Sequence, residues 1–267
     1  MIETTYYVPR TPYLALLGDF HNGDADSVLA SLHKHKPELI CIAGDIVYAK
    51  VPDSGLVLEN QRHVRTLLNG CANITPTFLS LGNHEAVLCN KDWDILKSTG
   101  VEILDNEWKQ WNGICIGGLT SHYVLRRRKY VPMDQYPKKG KSYPKMIIKP
   151  DLRWMRPVPD CYTILLSHHP EYYPLVPDVK MVLSAHAHGG QIRLFHKGLY
   201  APGQGWFPKY TKGKYGRMII TAGLTNTANI RRINNPTEIV YVRPAPKKYI
   251  QVQGKRARMK TVVVNEE

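Results

Sequence analysis

Eight polar side chains of this chain stand where short apolar runs end, and their types point to metal chemistry. Asp19 and His21 follow Tyr13-Leu14-Ala15-Leu16-Leu17-Gly18, Asp45 follows Leu39-Ile40-Cys41-Ile42-Ala43-Gly44, and Asn83 and His84 follow Thr77-Phe78-Leu79-Ser80-Leu81-Gly82. Further on, His168 follows Thr163-Ile164-Leu165-Leu166-Ser167, and His186 and His188 follow Met181-Val182-Leu183-Ser184-Ala185. Without His84, these are two carboxylates, one amide and four imidazoles. That mixed oxygen and nitrogen set, lacking a thiolate, suits Mn, Fe or Zn and argues against a structural Cys-type zinc site. Seven donors exceed what one tetrahedral ion takes, but they suit two ions that share a bridging carboxylate. Two ions about 3.5–4 Å apart clamp a phosphoryl group, generate a hydroxide nucleophile at neutral pH and favour in-line attack.

The elements that must carry these residues alternate in kind. Tyr13–Leu17, Glu38–Ala43 and Thr77–Leu81 read as buried strands, each closed by Gly. Asp26 to Lys36 has apolar residues at Val28, Leu29 and Leu32, a helical spacing with Asp26 as cap, and Val57 to Leu68 reads as a second helix. Strand, polar loop, helix, strand predicts parallel βαβ units with right-handed crossovers. The second half predicts strands at Ile114–Gly118, Tyr162–Leu166, Met181–Ser184, Ile192–Phe195, Met218–Thr221 and Ile239–Val242. The expected fold is α/β: two β-sheets packed face to face and flanked by helices, an αββα sandwich in one domain over residues 1–242. In α/β sheets, loops at the carboxyl ends of strands converge on one crevice, so five loops aim their side chains at one place.

Composition adds bounds. The chain has 267 residues, 43 % hydrophobic and 22 % charged, an ordinary balance for a soluble globular protein with its own core. No apolar run approaches the roughly 18 residues that span a bilayer, and no signal-peptide core stands at the start, so no integral membrane segment is expected. Five scattered cysteines show no C-x-x-C spacing. Cys41 and Cys115 read as buried small hydrophobes, and a reducing compartment, the cytoplasm, is expected, with peripheral contact at a membrane left open. The net charge of +14 favours polyanions: nucleic acid, anionic lipid or an anionic wall polymer. Arg126 to Pro150 holds nine Lys or Arg against one acid, and reads as a basic surface insertion. Residues 243–267 read as a basic C-terminal tail. Sequence says nothing about oligomeric state.

Gly18-Asp19-Phe20-His21, Gly44-Asp45, Gly82-Asn83-His84-Glu85, Ser167-His168-His169-Pro170 and Ala185-His186-Ala187-His188-Gly189-Gly190-Gln191 resemble the five signature blocks of the calcineurin-like metallophosphoesterases, in the family's order. The resemblance implies two divalent metal ions, with Mn favoured and Fe or Zn as alternatives. It implies that Asp19, His21 and His188 hold one ion, that Asn83, His168 and His186 hold the other, and that Asp45 bridges them. His84 would protonate the leaving alkoxide, and Glu85 would orient His84. Gly18 and Phe20 depart from the usual Ser or Thr and Leu of the first block. Gly-Gly-Gln, then Ile192-Arg193-Leu194 and Pro202-Gly203, is similar to a bacterial branch of membrane-associated or wall-associated phosphodiesterases.

Around this set, Asn22 is placed to contact phosphate or cap its turn, and His169 to touch substrate. Arg126, Arg127 and Arg128 are candidates for gripping an anion. His122 and His196 read as structural or solvent-facing, and His33, His35 and His63 as helix-surface residues. Tyr172 and Tyr173 read as packing residues. The expected activity is hydrolysis of an anionic phosphodiester or pyrophosphate by metal-activated hydroxide. A nuclease or phosphomonoesterase would use the same site, and a non-catalytic scaffold would keep only the fold.

Overall fold

A computed structural model describes the chain except for residues 51, 53, 122–149, 196, 202–203, 227–230 and 247–267. The first sheet contains β1 (Ile2–Val8), β2 (Leu14–Leu17), β3 (Leu39–Ala43), β4 (Thr77–Ser80), β5 (Glu102–Leu104) and, from the end of the described chain, β16 (Glu238–Pro244), in the order β1-β16-β2-β3-β4-β5. The second contains β6 (Glu107–Trp111), β7 (Ile114–Leu119), β8 (Tyr162–Ser167), β9 (Met181–Ser184), β14 (Gly213–Tyr215) and β15 (Met218–Ile220), in the order β14-β15-β9-β8-β7-β6. Between β9 and β14 lie two short hairpins, β10 (Arg193–Leu194) with β11 (Lys197–Gly198), and β12 (Tyr200–Ala201) with β13 (Gly205–Trp206).

Strands β2, β3, β4 and β5 are parallel, as are β7, β8 and β9, so the loops that follow them leave at their carboxyl ends. Their sequences are apolar on both faces because both faces are covered. Leu14, Leu16, Leu39 and Cys41 point to the second sheet and meet Ile164, Leu166, Met181 and Leu183. Ala15, Leu17, Ile40 and Ile42 point the other way, toward helices α1 (Ala25–His35) and α3 (Arg62–Ile74). On the far side of the second sheet, Leu165 and Val182 pack with Met155 and Tyr172, which belong to short 3₁₀ turns. The expected two-sheet sandwich flanked by helices is thus the observed fold.

Several local expectations give way to tertiary contacts. The helix expected over 57–68 is two, α2 (Val57–Asn60) and α3, interrupted at Gln61. Buried Gln61 turns its amide to the Tyr48 backbone, accepting its N–H and donating to its carbonyl, both at 2.7 Å. Asp92, in α4 (Asn90–Lys97), accepts the N–H groups of Val57 and Leu58 and so supplies α2 with a start. The cap of α1 is Asp24, not Asp26: its carboxylate accepts from the N–H of Asp26 and of Ser27. Cys115, read as a buried small hydrophobe, is joined to Cys161 in a disulfide that ties the start of β7 to the residue before β8. Strand β16 runs to Pro244, two residues past the expected boundary of the domain. The basic insertion apart from Pro150, the tail from 247 onward, His122, His196, Pro202 and Gly203 lie outside the described residues.

His35, read as a surface residue, is partly buried against Tyr241 and reaches the Glu3 carboxylate at 2.8 Å. Ser31 donates to the same carboxylate at 2.7 Å and Lys34 at 3.2 Å, so α1 is fastened to edge strand β1. Partial burial disfavours the Glu3 charge, but Ser31, His35 and Lys34 outweigh it and lower the carboxyl to about 2. Because the folded value lies below the unfolded one, this stabilisation is full above about pH 4.5 and is lost as pH falls through about 2. Glu3→Gln is therefore expected to lower the thermal midpoint at pH 6 and to flatten its fall between pH 5 and pH 2. Parallel Tm–pH curves for parent and variant would remove Glu3 from the account.

Candidate metal centre

The site residues stand at the carboxyl ends of β2, β3, β4, β8 and β9, and backbone geometry aims most of them. Asp19, His21, Asn22, Asp45, His186, His188 and Gln191 all have positive φ, between 46° and 65°, in the left-handed region that side chains rarely occupy. The tight loops leave no room for bulk. A Cβ on Gly82 would lie 2.3 Å from Asp45 Oδ1 and 2.6 Å from the Asp45 nitrogen, and one on Gly18 would lie 2.5 Å from Ala185 Cβ. The second distance explains why Gly rather than Ser or Thr precedes Asp19.

Two triads face each other. One ligand atom each from Asp19, His21 and His188 lies within 4.8 Å of the others, and the same holds for Asp45, His168 and His186. Asp45 Oδ2 stands between the triads, 3.1 Å from His168 Nε2, 3.9 Å from His21 Nε2 and 3.8 Å from His84 Nε2. Its other oxygen accepts the His84 backbone N–H at 2.8 Å, which fixes the carboxylate plane. The Asp19 carboxylate accepts the His186 N–H, linking a first-sheet loop to a second-sheet loop.

The hydrogen bonds behind the rings decide which nitrogen faces inward. His21 Nδ1 donates to the Val47 carbonyl at 3.0 Å and His168 Nδ1 to the Ala43 carbonyl at 2.6 Å, so both present an unprotonated Nε2 when neutral. Such outer hydrogen bonds are the usual way a metal-binding imidazole is held in one tautomer. His186 Nδ1 and His168 Nε2 are 3.2 Å apart, two nitrogens aimed at one point. His21 Nε2 and Asn83 Oδ1 are buried and have no hydrogen-bond partner, which is costly for a polar atom unless a ligand completes it. Donor type, tautomer and orphaned atoms all fit divalent metal ions.

Electrostatics agree. Burial lowers the His21 imidazole to about 4 and pushes His186 and His188 down as well, so these rings are neutral donors at pH 7. Burial alone would also lower His168, but Asp45 outweighs it and raises that ring to about 10. Burial likewise opposes the Asp45 charge, yet His168 and His84 hold the carboxyl well below its usual range. Positive charge beside Asp45 is strongly favoured, a preference that a metal cation satisfies as a proton does.

His84 differs from the other rings. Its Nδ1 accepts the Ala49 N–H at 3.1 Å, which leaves the proton of the neutral ring on Nε2, facing Asp45. Its side chain is 21 % exposed, whereas His21, His168 and His188 are at most 5 % exposed, so it stands at the mouth. Glu85, expected to orient His84, does something else. Its carboxylate accepts the N–H groups of Asp45, Ile46 and Gly82 at 2.7–3.0 Å and binds the β3 loop to the β4 loop.

Asn22 lies beside the first triad with a buried, unpartnered Oδ1. His169 lies against the second, its ring 4.2 Å from His186 and its Nε2 3.1 Å from Ser121 Oγ; burial lowers it to about 3. Tyr172 packs in the outer core and against His169. Arg126, Arg127 and Arg128 lie outside the described residues. Two neighbours escaped the sequence reading. Glu171 brings a carboxylate within 4.8 Å of ring nitrogens of His169 and His186, and burial raises it to about 7; an acid three residues past His168 was its only signal. Arg232 donates to the Ala222 and Thr225 carbonyls and lies 3.2 Å from His188 Nδ1, but 44 residues separate it from His188, so no local spacing announces it.

Residues 13–190 match the calcineurin-like phosphoesterase family, and the chain belongs to it. It is 29 % identical over 235 residues to an uncharacterized metallophosphoesterase of Campylobacter jejuni, covering 86 % of this chain and 56 % of the relative. An uncharacterized metallophosphoesterase of Helicobacter pylori is 24 % identical over 259 residues, 92 % of this chain and 64 % of its own. The uncharacterized protein YpbG of Bacillus subtilis is 26 % identical over 196 residues, 70 % and 65 % of the two chains. The chain thus spans less than two thirds of the length of these relatives. Among the described residues no helix is long and apolar enough to cross a membrane.

The Gly82 contact makes a prediction. Gly82→Ala should displace Asp45 and weaken divalent-metal affinity about 10–100-fold, read by titration of the stripped protein, with the circular dichroism spectrum retained. Unchanged affinity would show that Asp45 is not among the ligands.

Proposed function

We propose that the chain is a dinuclear metal-dependent phosphoesterase that cleaves phosphodiester or pyrophosphate bonds. The observation that carries this reading is the pair of Asp/His triads meeting at the Asp45 carboxylate. Asp19, His21 and His188 would hold one ion, Asn83, His168 and His186 the second, with Asp45 shared. The donor set, without a thiolate, suits Mn, Fe or Zn, and Mn is the ion proposed. Such ions supply Lewis-acid polarisation of a phosphoryl group and an activated water.

The protein groups then divide the remaining work. Asp45, held by the His84 N–H on one oxygen, keeps the other oriented between the triads. Glu85 ties the β3 loop to the β4 loop, which fixes Asp45 relative to the residues that follow Gly82. His84 presents Nε2–H at the mouth and donates that proton to the oxygen that leaves. A proton donor matters most when the leaving group is a poor one such as an alkoxide. Asn22 and His169 are proposed to contact substrate. Arg126, Arg127 and Arg128 are proposed to attract it, in keeping with the net charge of +14.

Stripped protein reloaded with Mn²⁺ should hydrolyse bis-p-nitrophenyl phosphate faster than p-nitrophenyl phosphate. Cleavage of the monoester alone would make it a phosphomonoesterase, and turnover of neither with two ions bound would defeat the enzyme reading. Asp45→Asn should reduce the bound metal and abolish most turnover; normal metal content would reject its bridging role. His84→Ala should keep both ions yet slow cleavage about 10²–10⁴-fold, most for alkyl leaving groups. An equal loss for p-nitrophenyl and alkyl esters would remove His84 as the acid.

A further inference from the structure

The loop that carries His186 and His188 does not return to the core but runs straight into the β10–β11 and β12–β13 hairpins. Arg193 donates to the Gly189 carbonyl at 2.7 Å, and Gly198 packs so closely on Gly190 that a Cβ on either would clash, so the first hairpin sits against the metal-site loop. Backbone hydrogen bonds continue outward: Leu199 N–H to Ile192, Phe207 N–H to Leu199, and Arg193 N–H to Ile233. Residues 192–193, 199, 207 and 233 therefore form one connected surface beside the site.

That surface is unusually apolar for one facing water. Phe195 is 87 % exposed and Phe207 82 %, the two most exposed large hydrophobic side chains among the described residues, with Trp206 at 65 %, Leu194 at 52 % and Ile233 at 48 %. Large apolar side chains exposed on neighbouring segments in this way mark an interaction surface. Around them stand exposed Lys197, Lys209 and Arg231. Between Asp178 and Glu238 the sequence carries nine Lys or Arg and not one Asp or Glu. A second copy of the chain would bring these like charges together, which disfavours a self-interface. Aromatic side chains that sit at the water–hydrocarbon boundary, rimmed by Lys and Arg that meet anionic head groups, are the pattern of interfacial binding.

We propose that the hairpin surface around Phe195, Trp206 and Phe207 docks the protein on an anionic lipid bilayer, with the aromatic rings at the head-group level and Lys197, Lys209 and Arg231 on the phosphates. The site mouth then lies at the edge of the docked face.

The test is cosedimentation of the full chain with vesicles of phosphatidylcholine alone, or with roughly a third phosphatidylglycerol, and it needs no turnover. The parent should partition at least about tenfold more strongly onto the anionic vesicles, and less as salt rises. Phe195→Ser/Trp206→Ser/Phe207→Ser should bind at least about tenfold more weakly, with its thermal midpoint and its hydrolysis of a small chromogenic ester unchanged. In Trp206→Phe, the blue shift of tryptophan emission on adding anionic vesicles should be reduced. Absence of binding by the parent overturns the proposal, and so does undiminished binding by the triple variant, which would place any docking elsewhere in the chain. A parent that is dimeric in analytical ultracentrifugation, with a monomeric triple variant and no vesicle binding by either, also overturns it and makes the patch an interface between copies.

Discussion

A carboxylate cannot be buried alone, and Asp45 is 1 % exposed at the meeting point of two sheets. It is held by the His84 backbone N–H on one oxygen and by the His168 ring, raised to about 10, 3.1 Å from the other. Its position in turn depends on Glu85, a second buried carboxylate that is satisfied by the N–H groups of three loop residues. Burial and the nearby Asp45 charge raise the Glu85 carboxyl, so those N–H groups work against a real cost. One acid thus holds the loops that hold the other. Removing either leaves a buried group without partners, which is why this pair, rather than any single imidazole, sets the architecture of the site.

The same loops carry backbone strain. Non-glycine residues in the left-handed region cost on the order of 1–3 kcal/mol each, and six site residues from Asp19 to His188 adopt it. Such conformations persist only where the surroundings leave no alternative. Here the surroundings are parallel strands with 0 % exposure at Leu14, Leu16, Ile40, Ile42, Ile164 and Leu183, whose ends cannot shift without opening the core. Cross-sheet bonds complete the restraint: the His168 ring donates to the Ala43 carbonyl, and the His186 N–H donates to the Asp19 carboxylate. Rigid sheets and strained loops together keep the two triads facing each other.

What was legible in the sequence follows from locality. Alternating apolar strands and the polar residue after each are properties of a few consecutive positions, so β2, β3, β4, β8 and β9 and the residues beyond them could be read. Contacts between distant segments could not. The edge strand β1 is polar enough at Glu3, Thr4 and Thr5 to resemble a loop, and it is a strand because β16 pairs with it in parallel. Gln61 interrupts a helical pattern for the sake of Tyr48, and Cys115 meets Cys161 only because β7 and β8 lie side by side. Glu85 is a neighbour of His84 in sequence, but its carboxylate turns the other way, toward the β3 loop. Proximity along the chain identifies the residue and misassigns its partner.

The hairpins bring a further constraint. A surface that docks a protein matters to chemistry only if it is mechanically joined to the site, and here the joint is short. His188 begins a 3₁₀ turn that ends at Gly190, Arg193 bonds back to Gly189, and Asn235 donates to the His188 carbonyl at 2.7 Å from the far side of the same surface. Arg232, next to Ile233 of the patch, reaches His188 Nδ1. His188 is therefore held by the segment that carries Ile233, while the β10–β11 hairpin with Phe195 bonds the adjoining Gly189. Through these bonds any load on the hairpin surface is passed to the loop that carries His186 and His188.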